Sequence, residues 1–458
     1  MQPTLVLNVV GLTPAMIGAA SPNLKRLAEN GKKLSLQTIN PAVTCSVQST
    51  FLTGLSPQDH GIVANGWYFR ELNEVRFWLQ PNRLVQGEKL WHLAKKKNPD
   101  FTVANLFWWY NMATDADIAV TPRPMYPADG RKIPDIHAQP LSLRKELNDR
   151  FGTFPLFNFW GPTSSIKSSQ WIGDCARYIN DQYNPTLNLV YLPHLDYVLQ
   201  QTGPDSKETL AELRKIDKVC GELIEQAQND GRHVIVLSEY GVSAVDQPIH
   251  INRALRDAGM IEVREELGRE LLDTYASHAF AVSDHQIAHI YIRDPKNIEK
   301  VKTIISALDG VEHVFAPQQE KEFGLAHERS GELVALASKN AWFTYYYWQH
   351  DEKAPDFART VDIHRKPGYD PAELFLDQKI TFPKLKLVWL LLRKNLGFRG
   401  LMDVIGLDAS LVKGSHGRAD MPKDKGAIFM TSAPDLVEGQ EIHASQIRDV
   451  ILKHIFPS

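Results

Sequence analysis

At 458 residues the chain exceeds what one simple hydrophobic core organises, so a central domain carrying a large insertion, or two domains, is expected. A hydrophobic fraction of 43% against 23% charged residues is that of an ordinary globular protein, and a formal net charge of −3 removes the electrostatic case for wrapping nucleic acid. Cys45, Cys175 and Cys220 stand far apart with no CxxC pair, so neither a disulfide framework nor a cysteine zinc site is expected, and a reducing compartment suits them.

The apolar run 5–10 starts at once, without a basic leader or a small-residue cleavage site, and reads as a strand; the expected location is the cytoplasm. Gly11 ends it, and a helical pattern through Leu24, Leu27 and Ala28 follows, with Gly31 as its C-cap. A second strand-and-helix passage covers 34–55. Apolar runs at 187–192 and 233–238 bracket an amphipathic helix over 209–227. Short strands apolar on both faces, alternating with such helices, predict an α/β fold: a mostly parallel central sheet with helices on both faces. In such sheets chemistry collects at the carboxyl ends of the strands, which here carry Val10-Gly11, His194-Leu195-Asp196 and Glu239-Tyr240-Gly241.

Two regions read differently. Residues 65–165, rich in Trp, Tyr and Pro, look like long ordered surface connections. Residues 242–413 look like an inserted cap lobe with strands at 280–292 and 332–338 and a helix at 297–308, leaving 1–241 and 414–458 as the core. Within the lobe, 384–399 is apolar with basic residues around it. A helix whose apolar stripe packs inside the lobe is expected there in preference to one lying on a membrane surface. Its longest apolar stretch, 387–392, is far too short to span a bilayer.

The most specific segment runs from Pro41 through Thr44, Gln48, Thr53-Gly54, Pro57, His60-Gly61-Ile62 and Asn65 to Tyr68. A hydroxyl just before an apolar helix sits where backbone N–H groups and the helix dipole favour an anion; by itself, Thr44 would equally be a simple N-cap. The wider pattern resembles the type I phosphodiesterase/nucleotide pyrophosphatase branch of the alkaline phosphatase superfamily, which includes phosphonoacetate hydrolase. There a nucleophilic Thr precedes a Thr-Gly by the same step as Thr44 to Thr53, and a Pro-x-x-His-Gly-Ile-x-x-Asn follows. Asp196 through Gly203-Pro204, Ser238-Glu239-Tyr240-Gly241 and Gly414-Ser415-His416-Gly417 resemble the family's later landmarks in order.

That resemblance implies a hydrolase or transferase of a phosphate or phosphonate ester, with Thr44 as nucleophile and one or two divalent metals, zinc by preference, clamping a phosphoryl oxygen. It implies Asp196, Glu239 and His416 as metal ligands, with Gln200 as an unusual third partner. The sequence departs from the family at several positions: Val10 stands where an Asp is expected, Gln200 where a His is, Tyr240 where a His is, and Val47 where an Asn helps hold phosphate, with Gln48 beside it. Asn8 lies on the strand face that the missing Asp would share. Neither inherited metal site reaches the three protein ligands usual for zinc. His194 and His285 are the substitute ligands considered; His285 and His289 would be about 13 Å apart on one continuous strand and could not share an ion.

Gln48, Asn65, Tyr240, Arg365 and Lys366 are the residues expected to contact substrate. The Pro- and Gly-bounded loops 121–132 and 354–371 either grip phosphate through Arg and Lys or pin the lobe by ion pairs. The expected partner is a small phosphorylated or phosphonate substrate, not nucleic acid. The replaced ligands also support a second reading, a non-catalytic or repurposed member that binds a phosphorylated ligand or scaffolds a pathway.

Overall fold

A computed structural model describes residues 1–398 and 400–457. Its centre is a nine-stranded, mostly parallel sheet. From edge to edge the strands are Glu441–His443, Lys32–Gln37, Ala427–Thr431, His233–Leu237, Thr4–Val9, Leu187–Leu192, Val103–Leu106, Ile118–Pro122 and Ile136–Gln139. Every side chain of Thr4–Val9 and Leu187–Leu192 is buried, which follows from helices covering both faces. One layer contains Pro22–Asn30, Ile166–Tyr183, His194–Thr202 and Lys207–Asn229; the other contains Thr44–Thr53, Leu90–Lys97 and Ile447–Ile455. Each buried Leu or Val contributes about 1.5–3 kcal/mol of apolar transfer.

Register fixes where the chemistry falls. The first strand pairs in parallel with both neighbours, so Asn8 lies opposite Tyr191 on one side and Leu237 on the other. Their carboxyl ends therefore open along one edge, where the chain continues into His194 and into Glu239. Gly31 follows the Pro22–Asn30 helix as expected, but for another reason. Its φ of −123° is ordinary, and a Cβ there would lie 2.0 Å from the Thr431 carbonyl oxygen, so close packing, not a left-handed turn, requires the glycine.

The chain leaves the core at Ser243–Ala244 and returns at Gly414–Ser415, and these two segments pair antiparallel. Between them Ala279–Asp284, Ile287–Ile292, Leu333–Ala337 and Val311–Phe315 form a four-stranded antiparallel sheet, with the Ile298–Ser306 helix packed on it. The second apolar core here also takes in Ile62, Trp67, Phe77 and Tyr110. Arg329 clamps the two parts together, donating to the carbonyls of Gly61 and Leu84 at 2.8 Å each. The run at 280–292 is not one strand, because it breaks at His285-Gln286 into a hairpin whose first turn residue has φ +61°. A second correction concerns 384–399. The Pro383–Asn395 helix forms, yet its apolar stripe faces solvent and is not packed inside the lobe, with Leu385, Trp389 and Leu392 all at least half exposed. Arg399, at the end of that stretch, lies outside the described residues.

Candidate active site

Thr44 is the first residue of its helix and is 3% exposed. Its Oγ1 lies 3.1 Å from the Tyr240 hydroxyl. Tyr240 is delivered by the turn after His233–Leu237, which is pinned at both ends. The Ser238 hydroxyl donates to the Leu12 carbonyl at 2.7 Å and accepts the Ile428 N–H at 3.0 Å. A Cβ on Gly241 would stand 1.8 Å from the Lys425 carbonyl oxygen, so only glycine lets the turn close.

Asp196, in the first turn of His194–Thr202, faces the same crevice. Its Oδ2 accepts from the Gln200 amide at 2.6 Å, and the Gln200 carbonyl accepts from the Tyr369 hydroxyl at 3.0 Å. Gln200 is thereby spent at both ends and orients Asp196. The other oxygen, Oδ1, has no hydrogen-bond partner among the described residues and lies 3.9 Å from His416 Nε2. His416 Nδ1 is 2.8 Å from the Ala42 carbonyl. A carbonyl only accepts, so Nδ1 carries the proton and Nε2 presents a lone pair toward Asp196.

His416 also belongs to a column of four rings. Tyr240 stacks on it at 3.6 Å with planes 10° apart, His285 covers its other face at 3.6 Å, and Tyr369 covers His285 at 3.7 Å. The hairpin break at 285 is what inserts that ring. Burial pushes His416 down to about 3, opposed by its bond to Ala42, and drives His285 well below the usual imidazole range. Both rings are neutral near pH 7.

Glu239 sits behind Thr44. Its Oε1 accepts from both the Asn8 and Gln48 amides at 2.6 Å, while Oε2 has no hydrogen-bond partner among the described residues. The Gln48 carbonyl in turn accepts the Trp109 N–H at 2.8 Å. Burial raises Glu239 to about 8, against the opposing pull of Gln48, Asn8 and Thr44. Burial likewise raises Asp196 to about 7, against Gln200 and Tyr240.

Thr44, Asp196, Tyr240, His285 and His416 line the floor of a cavity of about 1040 Å³. Its walls are aromatic, with Trp78, Trp109, Trp160, Tyr191 and Tyr197, and it reaches the surface past exposed Tyr126 and Phe157. Loop 121–132 contributes Arg123 and Lys132, and loop 354–371 contributes His364 and Tyr369.

Several expected residues lie elsewhere. His194 turns away to Glu212, 2.6 Å from its carboxylate. Asn65 is held between the Asp284 carboxylate, 2.7 and 3.0 Å from its two amides, and the Cys45 N–H at 2.9 Å. Arg365 is exposed beside Asp362 at 3.3 Å. Lys366 is buried between Asp370 and Glu373, 2.7 Å from each. In those two residues the ion-pairing reading of the loop holds. His60 is buried at the end of the short Pro57–His60 helix, its Nε2 3.0 Å from the Thr50 hydroxyl. The ten Trp of the sequence suit a pocket with aromatic walls, but Tyr191 and Tyr369 escaped sequence reasoning. Tyr191 lies opposite Asn8 through the strand register, which only the folded sheet sets.

The donor set does not fit a two-ion centre. Among the described residues no three His, Cys, Asp or Glu side chains gather as a metal site. Around Glu239 and Thr44 the neighbours are the Asn8 and Gln48 amides and the Tyr240 hydroxyl.

The chain matches the family model of type I phosphodiesterase/nucleotide pyrophosphatase over residues 4–370. It is similar to a pyrophosphatase/phosphodiesterase of Schizosaccharomyces pombe, with 28% identity over 239 residues, and the match spans 49% of this chain and 41% of that protein. Among solved structures, an inactive form of murine ectonucleotide pyrophosphatase/phosphodiesterase 5 in complex with AMP aligns with TM-score 0.61 and 13% identity, over 100% of this chain and 96% of its own. Phosphonoacetate hydrolase from Sinorhizobium meliloti 1021 in complex with phosphonoformate aligns with TM-score 0.61 and 14% identity, over 99% and 96%. At these identities the structural likeness is one of fold.

Proposed function

We propose that this chain, which belongs to the type I phosphodiesterase/nucleotide pyrophosphatase family, hydrolyses a phosphate or phosphonate ester through Thr44. The observation that carries the reading is Thr44 itself, at the floor of the cavity, at a helix start, 3.1 Å from a tyrosine hydroxyl and beside a carboxyl raised to about 8. The Thr44 oxygen forms the new bond to phosphorus as its proton passes to Glu239, and the bond to the departing alkoxide breaks. Water then attacks phosphorus and releases Thr44. Tyr240 donates to a phosphoryl oxygen, and the first-turn amides of the Thr44 helix add partial positive charge. The pair Asp196 and His416 would hold a single divalent cation, zinc by its nitrogen and oxygen donors, which supplies Lewis acidity when bound.

The aromatic walls and the cavity volume of about 1040 Å³ suit a substrate with a bulky apolar or aromatic group on the phosphoryl centre. Thr44→Ala should cut turnover of a nucleoside-monophosphate nitrophenyl ester on the order of 10³-fold or more, with the melting temperature unchanged. Undiminished turnover in that variant rules the reading out. The Asn8 and Gln48 amides on Glu239 favour a second reading, in which the crevice binds a phosphorylated ligand without turning it over. Ligand-induced thermal stabilisation with no product formed would select it.

A further inference from the structure

Residues 378–398 and 400–402 leave the lobe as an arm with a stapled base. Leu376 and Ile405 form an antiparallel bridge, the Asp377 N–H donates to the Val404 carbonyl at 2.8 Å, and Lys386 reaches Asp403 at 2.9 Å. On the Pro383–Asn395 helix and just beyond it, Leu385, Val388, Trp389, Leu392 and Leu396 recur at helical spacing, so they form one stripe. That stripe faces outward: Leu385 is 65% exposed, Val388 61%, Trp389 57% and Leu396 67%, and Phe398 continues it at 60%. Meanwhile Lys386, Leu387 and Leu390 are half-buried. A contiguous apolar face of this size on a soluble surface marks a contact.

The charge pattern identifies its partner. From Lys379 to Met402 the sequence contains six Lys or Arg and no Asp or Glu, although the whole chain is net negative at −3. An apolar stripe carrying a tryptophan, flanked by cations, fits an anionic lipid surface: the apolar side chains enter the acyl boundary and the basic groups meet phosphate. A spanning role does not arise, since no helix among the described residues is long and apolar enough to cross a membrane. We infer that this arm docks the protein on the surface of an anionic bilayer, a property independent of the chemistry at Thr44.

The test is flotation of the full chain with vesicles of neutral phosphatidylcholine, or of the same lipid with about 30 mol% phosphatidylserine. The wild type should float with the anionic vesicles and stay behind with the neutral ones. Trp389→Glu combined with Leu392→Glu should abolish flotation while circular dichroism and melting temperature stay as in the wild type. Neutralising one exposed cation, as in Arg393→Gln, should weaken partition about fivefold at low salt. No flotation of folded wild type, equal flotation with neutral vesicles, or undiminished flotation of the double variant would each overturn the inference. So would concentration-dependent dimers that the double variant abolishes, without vesicle binding, since a second copy would then cover the stripe.

Discussion

Asp196 and Glu239 are both buried carboxyls of the candidate site, yet they are held differently. Glu239 has one oxygen saturated by two amides, while Asp196 has a single amide on one oxygen and a neighbouring imidazole lone pair facing the other. In both cases a neutral amide stands near a carboxylate where the family resemblance places metal. An amide donates a hydrogen bond but cannot neutralise a full buried charge. A proton does so instead, which is why burial lifts both carboxyls toward or past neutrality. The difference lies in what surrounds the second oxygen: that of Asp196 faces an imidazole 3.9 Å away, and that of Glu239 faces no imidazole among the described residues.

The comparison is broken most severely at Glu239. Glu239→Gln should lower kcat about 10²- to 10⁴-fold with little change in KM, because it removes the proton acceptor and leaves the cavity walls intact. Glu239 must be ionised to accept the Thr44 proton, so wild-type kcat should rise as pH increases through about 8, and the variant should lose that limb. A retained limb would assign it to another group.

Asp196→Asn should act on cation binding. After zinc loading and desalting, elemental analysis should find up to one ion per wild-type chain, the same in Glu239→Gln, and a clear loss in Asp196→Asn. Equal zinc in both variants would erase the proposed division of labour. Gln200→His sharpens the same point in the other direction. It supplies a third nitrogen or oxygen donor near Asp196 and His416 and should tighten zinc binding, at the expense of the bond to Tyr369.

How much of this was readable beforehand differs by residue. The strand ends were legible because short doubly buried strands leave an apolar signature, and the motif from Thr44 to Asn65 is long enough to be specific. The role of Asn65 was not, because nothing local reveals that Asp284, 219 positions later, would claim its amides. His285 was misread in a run that looks like one strand; only the left-handed residue at the hairpin tip turns its ring onto His416. Arg365 and Lys366 have the right charge for phosphate, but Asp362, Asp370 and Glu373 on the same loop reach them first. The outward stripe at 385–396 shows a periodicity that gives a helix its face but not the direction in which that face points.

The smallest expected effect is on stability, and its sign follows from the same two carboxyls. The folded-state value of Glu239 rises from 4.5 to about 8, and that of Asp196 from 3.8 to about 7. The folded protein thus holds protons that the unfolded chain releases at lower pH. The contribution of these groups is complete below about pH 4 and fades as pH rises through 7 and 8. The buried histidines, His416 and His285 among them, are depressed in the folded protein and act in the opposite sense as pH rises through their unfolded value of 6.5. Asp284, raised to about 7, acts in the same sense as the two carboxyls. The metal-free melting temperature should therefore fall only above about pH 7, from there to pH 9. Glu239→Gln should flatten the upper part of that decline, and Asp196→Asn the lower part. Saturating zinc should flatten the Asp196 portion alone, because a bound cation replaces the proton at that carboxylate and not at the other. If zinc removed the whole pH dependence, the two carboxyls would be sharing one ion, and the contrast between them would collapse.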